Sequence, residues 1–443
     1  MTTPICDFIQ RYAEENPLRL HMPGHKGSRL LGPEPWDLTE VDGADSLYEA
    51  EGIIRESEEN ASRLFGVRTF YSTEGSSQCI RAMVYLALLH ARENGRSSRV
   101  LAGRNAHKTF LSAAALTGAD VRWLWGDGLS YLSCPLTAAE VETALAEESQ
   151  PPAAVYLTSP DYLGSTVDIA AIAEVCHARG VPLLVDNAHG AYLRFLHPSR
   201  HPADLGADLC CDSAHKTLPG LTGTAYLHVA EEELFLQQAK NALALFGSTS
   251  PSYLLLASLD AVNRYLAESY PEKLAETVRL AEAIKVRLTD GGWSLTGDEP
   301  LKLTIRTKPY GYTGQQLSAL LAENGIVSEF ADADHLVLML TPEIGEVGIA
   351  RLEEALLSVE KKTPICEPVP SMARPERVVS VREALLSPCE SVAAHESIGR
   401  VLAAASVGCP PAVPIVVSGE RICRDAVEAF AYYGISTVTV MKE

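Results

Sequence analysis

The chain has 443 residues, long enough for two or three domains rather than one ordinary core. Its 47% hydrophobic and 21% charged residues are the composition of an ordinary globular protein. With 37 basic against 57 acidic residues the net charge is −20, which argues against nucleic-acid and anionic-membrane partners and favours cationic ligands, or simply keeps the chain soluble. Ten cysteines without a C-x-x-C pair suggest neither a disulfide framework nor a zinc ribbon. The first residues, MTTPICDFIQRYAEENP, carry early acids, no basic n-region and no long apolar run. No signal peptide or membrane span is expected, and the expected location is the cytoplasm.

In chain order, residues 1–50 read as an irregular N-terminal segment, rich in Pro, Gly and acids, with one short helix. Helices are predicted at 52–65 and 77–93, then an apolar strand at Arg99–Gly103. Further strands are predicted at Val121–Trp125, Ala154–Thr158, Pro182–Asp186, Asp208–Asp212 and Thr224–His228, with a helix at Ile169–Arg179. Short apolar strands alternating with helices predict an α/β class with a largely parallel sheet covered on both faces. Two long helices follow, at 251–268 and 272–289, so residues 51–290 read as one large domain. A smaller α/β unit over 291–361 is predicted as strand Lys302–Thr307, helix Gly314–Asn324, strand His335–Thr341 and helix Val347–Lys361. The proline-rich stretch 362–376 reads as a linker, and 377–443 as a final helix and turn-rich unit.

Four local motifs lie where chemistry is expected in such a sheet. Thr73-Glu74-Gly75-Ser76-Ser77 precedes a helix, where free N–H groups and hydroxyls can cradle phosphate. A plain serine cap is the simpler reading. Val185-Asp186-Asn187-Ala188-His189 ends an apolar strand, where a carboxylate can hold a pyridine nitrogen protonated or merely cap a turn. Asp212-Ser213-Ala214-His215-Lys216-Thr217 places a lysine between two apolar strands, where a lowered ammonium pKa frees the amine to attack an aldehyde. An ordinary surface lysine is its alternative. Arg104-Asn105-Ala106-His107-Lys108 puts a histidine at a strand end, over a planar ring or simply in a helix cap. The spacing His21-x-x-x-His25 encloses Pro23-Gly24, so the pair does not share a helix face and no metal site is read there.

SAHKTLPGLTG, at 213–223, resembles the Schiff-base motif of the bacterial ornithine/lysine/arginine decarboxylases. HMPGHKG at 21–27, DLTEVDGADSLYEAEGII at 37–54, FGSTSPSYLLLASLDA at 246–261 and ESIGRVLAAASVGCPPAVPIVVSGERI at 396–422 are also similar to sequences of that family. The resemblance implies an aspartate-aminotransferase (fold type I) large domain with a smaller C-terminal α/β domain, and pyridoxal 5′-phosphate (PLP) as cofactor. It implies Lys216 as the Schiff-base lysine, Asp186 at the pyridine nitrogen and His107 stacked on the ring. Ser76, Ser77, Ser213 and His215 would serve the phosphate region, and His189 would flank the cofactor. Ser248 and Thr249 would reach a phosphate across a homodimer interface.

The resemblance further implies decarboxylation of a basic amino acid, arginine ahead of lysine and ornithine, with polyamine synthesis and acid resistance both open. Glu420 is expected to meet the side-chain cation of the substrate, unless it simply pairs with Arg421 in a surface turn. The chain starts almost at HMPGHKG, so a short form without the N-terminal wing domain is expected. Asn187 stands where many relatives carry Glu, and Tyr192-Leu193-Arg194 replaces a His-containing stretch. Alternatives are a PLP-dependent aminotransferase, with Arg306 as its carboxylate clamp, a lyase acting on a sulfur amino acid, and a non-catalytic regulatory homologue.

Overall fold

The computed structural model describes residues 1–408 and 413–442. The Cys409-Pro410-Pro411-Ala412 part of the family-like stretch lies outside them. Seven short strands form the central sheet: β1 (Arg68–Ser72), β2 (Arg99–Gly103), β3 (Asp120–Leu124), β4 (Ala154–Thr158), β5 (Leu183–Asp186), β6 (Leu209–Ser213) and β7 (Ala225–Val229). Their order is β1-β7-β6-β5-β4-β2-β3. The pairs from β6 through β3 are parallel, and β7 runs antiparallel to both its neighbours.

Strand periodicity of two explains why both faces are buried. Val100, Ala102, Ala154, Tyr156, Leu184, Leu209 and Cys211 join one apolar cluster. The residues between them, Leu101, Val155, Leu157, Leu183, Val185 and Cys210, join the cluster on the opposite face. Helices Gly75–Glu93, Lys108–Thr117 and Glu233–Ala244 lie on the first side, and Ala138–Ala146 and Ile169–Ala178 on the second. The predicted mostly parallel α/β sheet is therefore present. β1 escaped prediction because RTFYS mixes charge and hydroxyls with its apolar residues, yet its last four side chains are buried.

A second, antiparallel sheet contains β8 (Ser294–Thr296), β9 (Lys302–Arg306), β10 (Phe330–Ala331) and β11 (His335–Met339), in the order β10-β11-β9-β8. Helices Gly314–Glu323 and Gly345–Leu357 cover it through Leu317, Leu352 and Leu356. Thr313 and Gln316 close the first helix with a reciprocal capping box. No helix or strand occupies 362–376.

The C-terminal stretch departs from the expected single helix. Its described residues hold two α-helices, Val381–Leu386 and Arg424–Tyr432, and two strand pairs. β12 (Cys389–Ala393) pairs with β15 (Thr437–Met441), and β13 (Ser406–Gly408) with β14 (Pro414–Val417). Strand CESVA is largely exposed, so it lacks the apolar alternation that marks a half-buried strand.

Candidate active site

The carboxyl ends of β4, β5 and β6 open into a cavity of about 420 Å³, the position where open α/β sheets bind ligands. Ser76, His107, Thr158, Asp161, Tyr162, Asp186, His189, Lys216 and Phe330 line it, with Ser406 and Pro414 from the C-terminal part.

Lys216 sits in the one-turn helix Ala214–Thr217 that follows β6. Its Nζ lies 3.0 Å from His189 Nε2. Burial lowers the ammonium pKa, against the pull of the Asp186 carboxylate. Burial, followed by the charges of Lys302 and Lys216, also drives His189 well below the ordinary histidine range. His189 is therefore neutral, and its Nε2 can accept a hydrogen bond from the lysine. Asp186 ends β5, buried, with Tyr156 OH donating to its Oδ2 at 3.2 Å and the Ala188 N–H to its Oδ1 at 3.2 Å. Phe110 stacks on Tyr156 with ring centroids 4.3 Å apart, which fixes the donor. The result is an amine and a carboxylate facing one cavity.

His107 caps helix Lys108–Thr117, with Nδ1 accepting from the Thr109 N–H at 3.2 Å. That bond holds the imidazole at the cavity edge. Gly75, at φ +72, turns the chain from β1 into helix Gly75–Glu93. Ser213 Oγ donates to Ser76 Oγ at 2.9 Å, so two hydroxyls meet beside a helix end whose first N–H groups have no intrahelical carbonyl. Ser77 faces Thr109 Oγ1 at 3.2 Å, and His215 Nδ1 meets Thr224 O at 3.0 Å; neither lines the cavity.

Asn187 has a structural logic of its own. Its Nδ2 donates to Asp212 Oδ1 at 2.6 Å, while His201 and His228 each approach Asp212 Oδ2 at 3.0 Å. Burial opposes ionisation of Asp212, but the two imidazoles bring its pKa well below the usual carboxylate range. A glutamate at 187 would set a second negative group against that carboxylate. Gly190 lets Asn187 tuck in: a Cβ there would stand 2.0 Å from Asn187 Oδ1. Tyr192 is buried, its hydroxyl accepting from the Leu301 N–H at 3.4 Å.

Four expected residues lie elsewhere. Glu420 is buried in a two-pronged ion pair with Arg104, at 2.6 and 2.8 Å, and its Oε2 also accepts the Val417 N–H at 2.9 Å. Both carboxylate oxygens are taken, so Glu420 does not offer a free acid to a substrate cation, and the expectation is corrected. Nor does it pair with Arg421, which reaches Glu376 at 3.3 Å. Ser248 and Thr249 are exposed and outside the cavity lining. Arg306 is exposed at the end of β9 and lines a different cavity.

Sequence reasoning passed over Asp161, Tyr162, Glu329 and Phe330. Tyr162 OH donates to Glu329 Oε1 at 2.8 Å, and the Phe330 ring meets Tyr162 edge-on at 5.7 Å. Burial raises Asp161 to about 6. The signal available was position: Asp161-Tyr162 follow β4 as Asn187 follows β5.

The donor set fits PLP: a pKa-lowered amine, a buried carboxylate, and paired hydroxyls beside a helix end. Two buried atoms of the lining residues, His189 Nδ1 and Thr158 Oγ1, have no hydrogen-bond partner among the described residues. Fold and site together define a fold type I, PLP-dependent enzyme. Residues 3–298 match the family described as Orn/Lys/Arg decarboxylase, major domain, and the chain belongs to that family. It is 30% identical to an arginine decarboxylase of Halalkalibacterium halodurans, over 95% of this chain and 91% of the relative. An arginine decarboxylase of Bacillus subtilis is 28% identical, over 96% and 92%. The solved constitutive lysine decarboxylase of E. coli shares the fold with a TM-score of 0.80 at 18% identity, covering 100% of this chain and 82% of that one.

Proposed function

We propose that the chain decarboxylates a basic amino acid, arginine in first place, with lysine or ornithine as alternatives, releasing the amine and carbon dioxide. The observation that carries this reading is the joint exposure of Lys216 and Asp186 to one cavity in a chain of this family. Bound PLP supplies an electron sink for the electrons left when the Cα–carboxylate bond breaks. Lys216 would hold the cofactor covalently and, freed by substrate, hand a proton to the carbon that has lost its carboxylate. His189, neutral at 3.0 Å, would, as a hydrogen-bond acceptor, orient the Lys216 amine. Asp186 would keep the pyridine nitrogen protonated, and His107 would lie over the ring. Ser76, Ser77, Ser213 and His215, with the helix N-terminus at Gly75, would anchor the phosphate region.

The substrate's distal cation needs an acid near the cavity mouth. Glu329, held by Tyr162, is the residue we assign to it in place of Glu420. A carboxylate there draws in an ammonium or a guanidinium.

A homodimer is part of the proposal, with Ser248 and Thr249 reaching the neighbouring subunit's site. Leu18, Leu20, Met22, Leu30, Leu31 and Trp36 are all exposed, an apolar concentration that an isolated soluble chain rarely leaves uncovered. Among the described residues no helix is long and apolar enough to cross a membrane. We assign the enzyme to the cytoplasm, and its amine product is of the class that polyamine synthesis consumes.

The test is to incubate the PLP-loaded enzyme with a panel of amino acids and measure carbon dioxide against keto acid. Carbon dioxide from arginine, lysine or ornithine supports the reading. Keto acid without carbon dioxide would make it an aminotransferase, and no turnover at all would favour a non-catalytic homologue.

A further inference from the structure

A second cavity, of about 410 Å³, lies between the four-stranded sheet and the proline-rich stretch. Arg306, Lys308, Asp334, His335 and Glu367 line it. Its chemistry is unfinished in two complementary ways. Arg306 is exposed into it and makes no ion pair or hydrogen bond among the described residues. Among the described residues, Asp334 Oδ2 and His335 Nδ1 are buried without a hydrogen-bond partner, in side chains 6% and 3% exposed, although His335 Nδ1 lies 3.7 Å from Asp332 Oδ1.

The backbone brings these groups together. Arg306 and His335 are directly paired across β9 and β11, so their side chains leave the same face, and Asp334, the residue just before β11, lines the same cavity. Asp334 Oδ1 is already occupied, by Lys308 Nζ at 3.0 Å and Tyr432 OH at 2.8 Å. That leaves Oδ2, buried in a residue that lines the cavity, as the acceptor without a partner among the described residues. A free guanidinium asks for a carboxylate, and an orphaned carboxylate oxygen asks for an N–H donor. One small molecule carries both groups on adjacent atoms. We propose that this cavity binds an α-amino acid as its zwitterion, carboxylate on Arg306 and ammonium on Asp334 Oδ2, apart from the PLP cavity. A diamine lacks the carboxylate and an inorganic anion lacks the ammonium, so each would satisfy half the site. Because Lys308 Nζ also donates to Glu367 O at 3.2 Å, the ligand would sit against the same lysine that ties the proline-rich stretch to the sheet.

The test uses PLP-loaded enzyme reduced with borohydride, which fixes the cofactor to the chain and blocks turnover; failure to fix cofactor would count against the proposed function and not against this site. Titrated calorimetrically with L-arginine, the reduced enzyme should bind saturably. Arg306→Gln and Asp334→Asn should each weaken that binding by about 10-fold or more. Agmatine, the decarboxylated counterpart of arginine, should bind the unsubstituted enzyme at least about 10-fold more weakly than arginine. Arg306 is exposed, so its substitution leaves the fold intact even if Asp334→Asn does not. Absence of saturable binding, wild-type affinity in Arg306→Gln, or equal affinity for agmatine would overturn the proposal.

Discussion

Arg104 and Glu420 face each other through two parallel hydrogen bonds, 2.6 and 2.8 Å long, with the guanidinium wholly buried. Trp123 and Trp125 hold the cation from the sides, with ring centroids 5.2 and 4.6 Å from its central carbon. Arg104 follows β2 three residues before His107, whereas Glu420 follows β14. The pair thus pins the C-terminal part, with Ser406 and Pro414, against the wall of the active-site cavity. Glu420→Gln leaves a buried charge uncompensated and should cost about 3 kcal/mol or more of stability. Restoring balance with an apolar pair, Arg104→Met with Glu420→Leu, should recover much of it. Urea denaturation of the three chains checks this; equal stability of the single variant and the wild type would mean the pair is not formed.

Lys216→Ala should abolish turnover together with borohydride-reducible attachment of PLP, because Lys216 is the one lysine amine of the described residues hydrogen-bonded to His189. The two readouts separate the roles. If attachment persists in the variant, another amine holds the cofactor and the assignment of Lys216 fails.

Asp186→Asn should retain cofactor but lower kcat by about 100-fold or more, since a neutral amide cannot stabilise a charged pyridinium. Tyr156 donates to the same side chain at 3.2 Å and can still do so to the amide oxygen. Near-normal turnover with bound cofactor would place the ring nitrogen against a different residue.

The parts of this architecture that were legible in the sequence are those governed by local pattern. Runs such as VPLLVD are apolar on both faces, so a buried parallel strand ending in Asp186 could be read directly. Lys216 stood out because Ser213, His215 and flanking strands framed it. Glu420 misled because burial is not local: its partner Arg104 is 316 residues away, and no turn pattern encodes that meeting. Glu329 was overlooked for the same reason, since Tyr162 joins it across 167 residues. Arg306 carried the right chemistry for a carboxylate clamp, but its strand ends at another cavity.

Asp161 predicts a pH dependence of stability. Burial raises its pKa from the ordinary 3.8 to about 6, even though the Leu163 and Ser165 N–H groups bond its Oδ1. Between those values the folded chain holds a proton that the unfolded chain has lost. This group's contribution therefore falls as pH rises from about 4 to about 6, and is constant outside that window. Two pH units correspond to about 3 kcal/mol. Asp161→Asn keeps the oxygen acceptor and removes the titration, so its stability difference from wild type should grow across that window. Urea midpoints at pH 4 and pH 7 measure it; a difference independent of pH would mean Asp161 titrates normally.

Glu329 gives the sharpest test of substrate class. It is exposed, bonded through Oε1 to the OH of the lining residue Tyr162 at 2.8 Å and next in the chain to Phe330, which also lines the cavity. Oε2 is not engaged by Tyr162, so a substrate guanidinium or ammonium can meet it without breaking the bond that orients the carboxylate. The Glu329 charge also supports the charged form of Lys216, which places it within electrostatic range of the reacting amine. Glu329→Gln keeps the acceptor for Tyr162 and removes the charge. On the best basic substrate kcat/KM should fall about 10-fold or more, roughly 1.4 kcal/mol. Uncharged amino acids should be affected far less, since they present no cation to lose. The fall should shrink in high salt, because the exposed carboxylate attracts the cation through screened solvent. Kinetics on arginine, lysine, ornithine and norleucine at two salt concentrations decide the matter. A uniform loss on all four would make Glu329 a prop for Tyr162 rather than a reader of charge, and an unchanged arginine rate would remove it from the site.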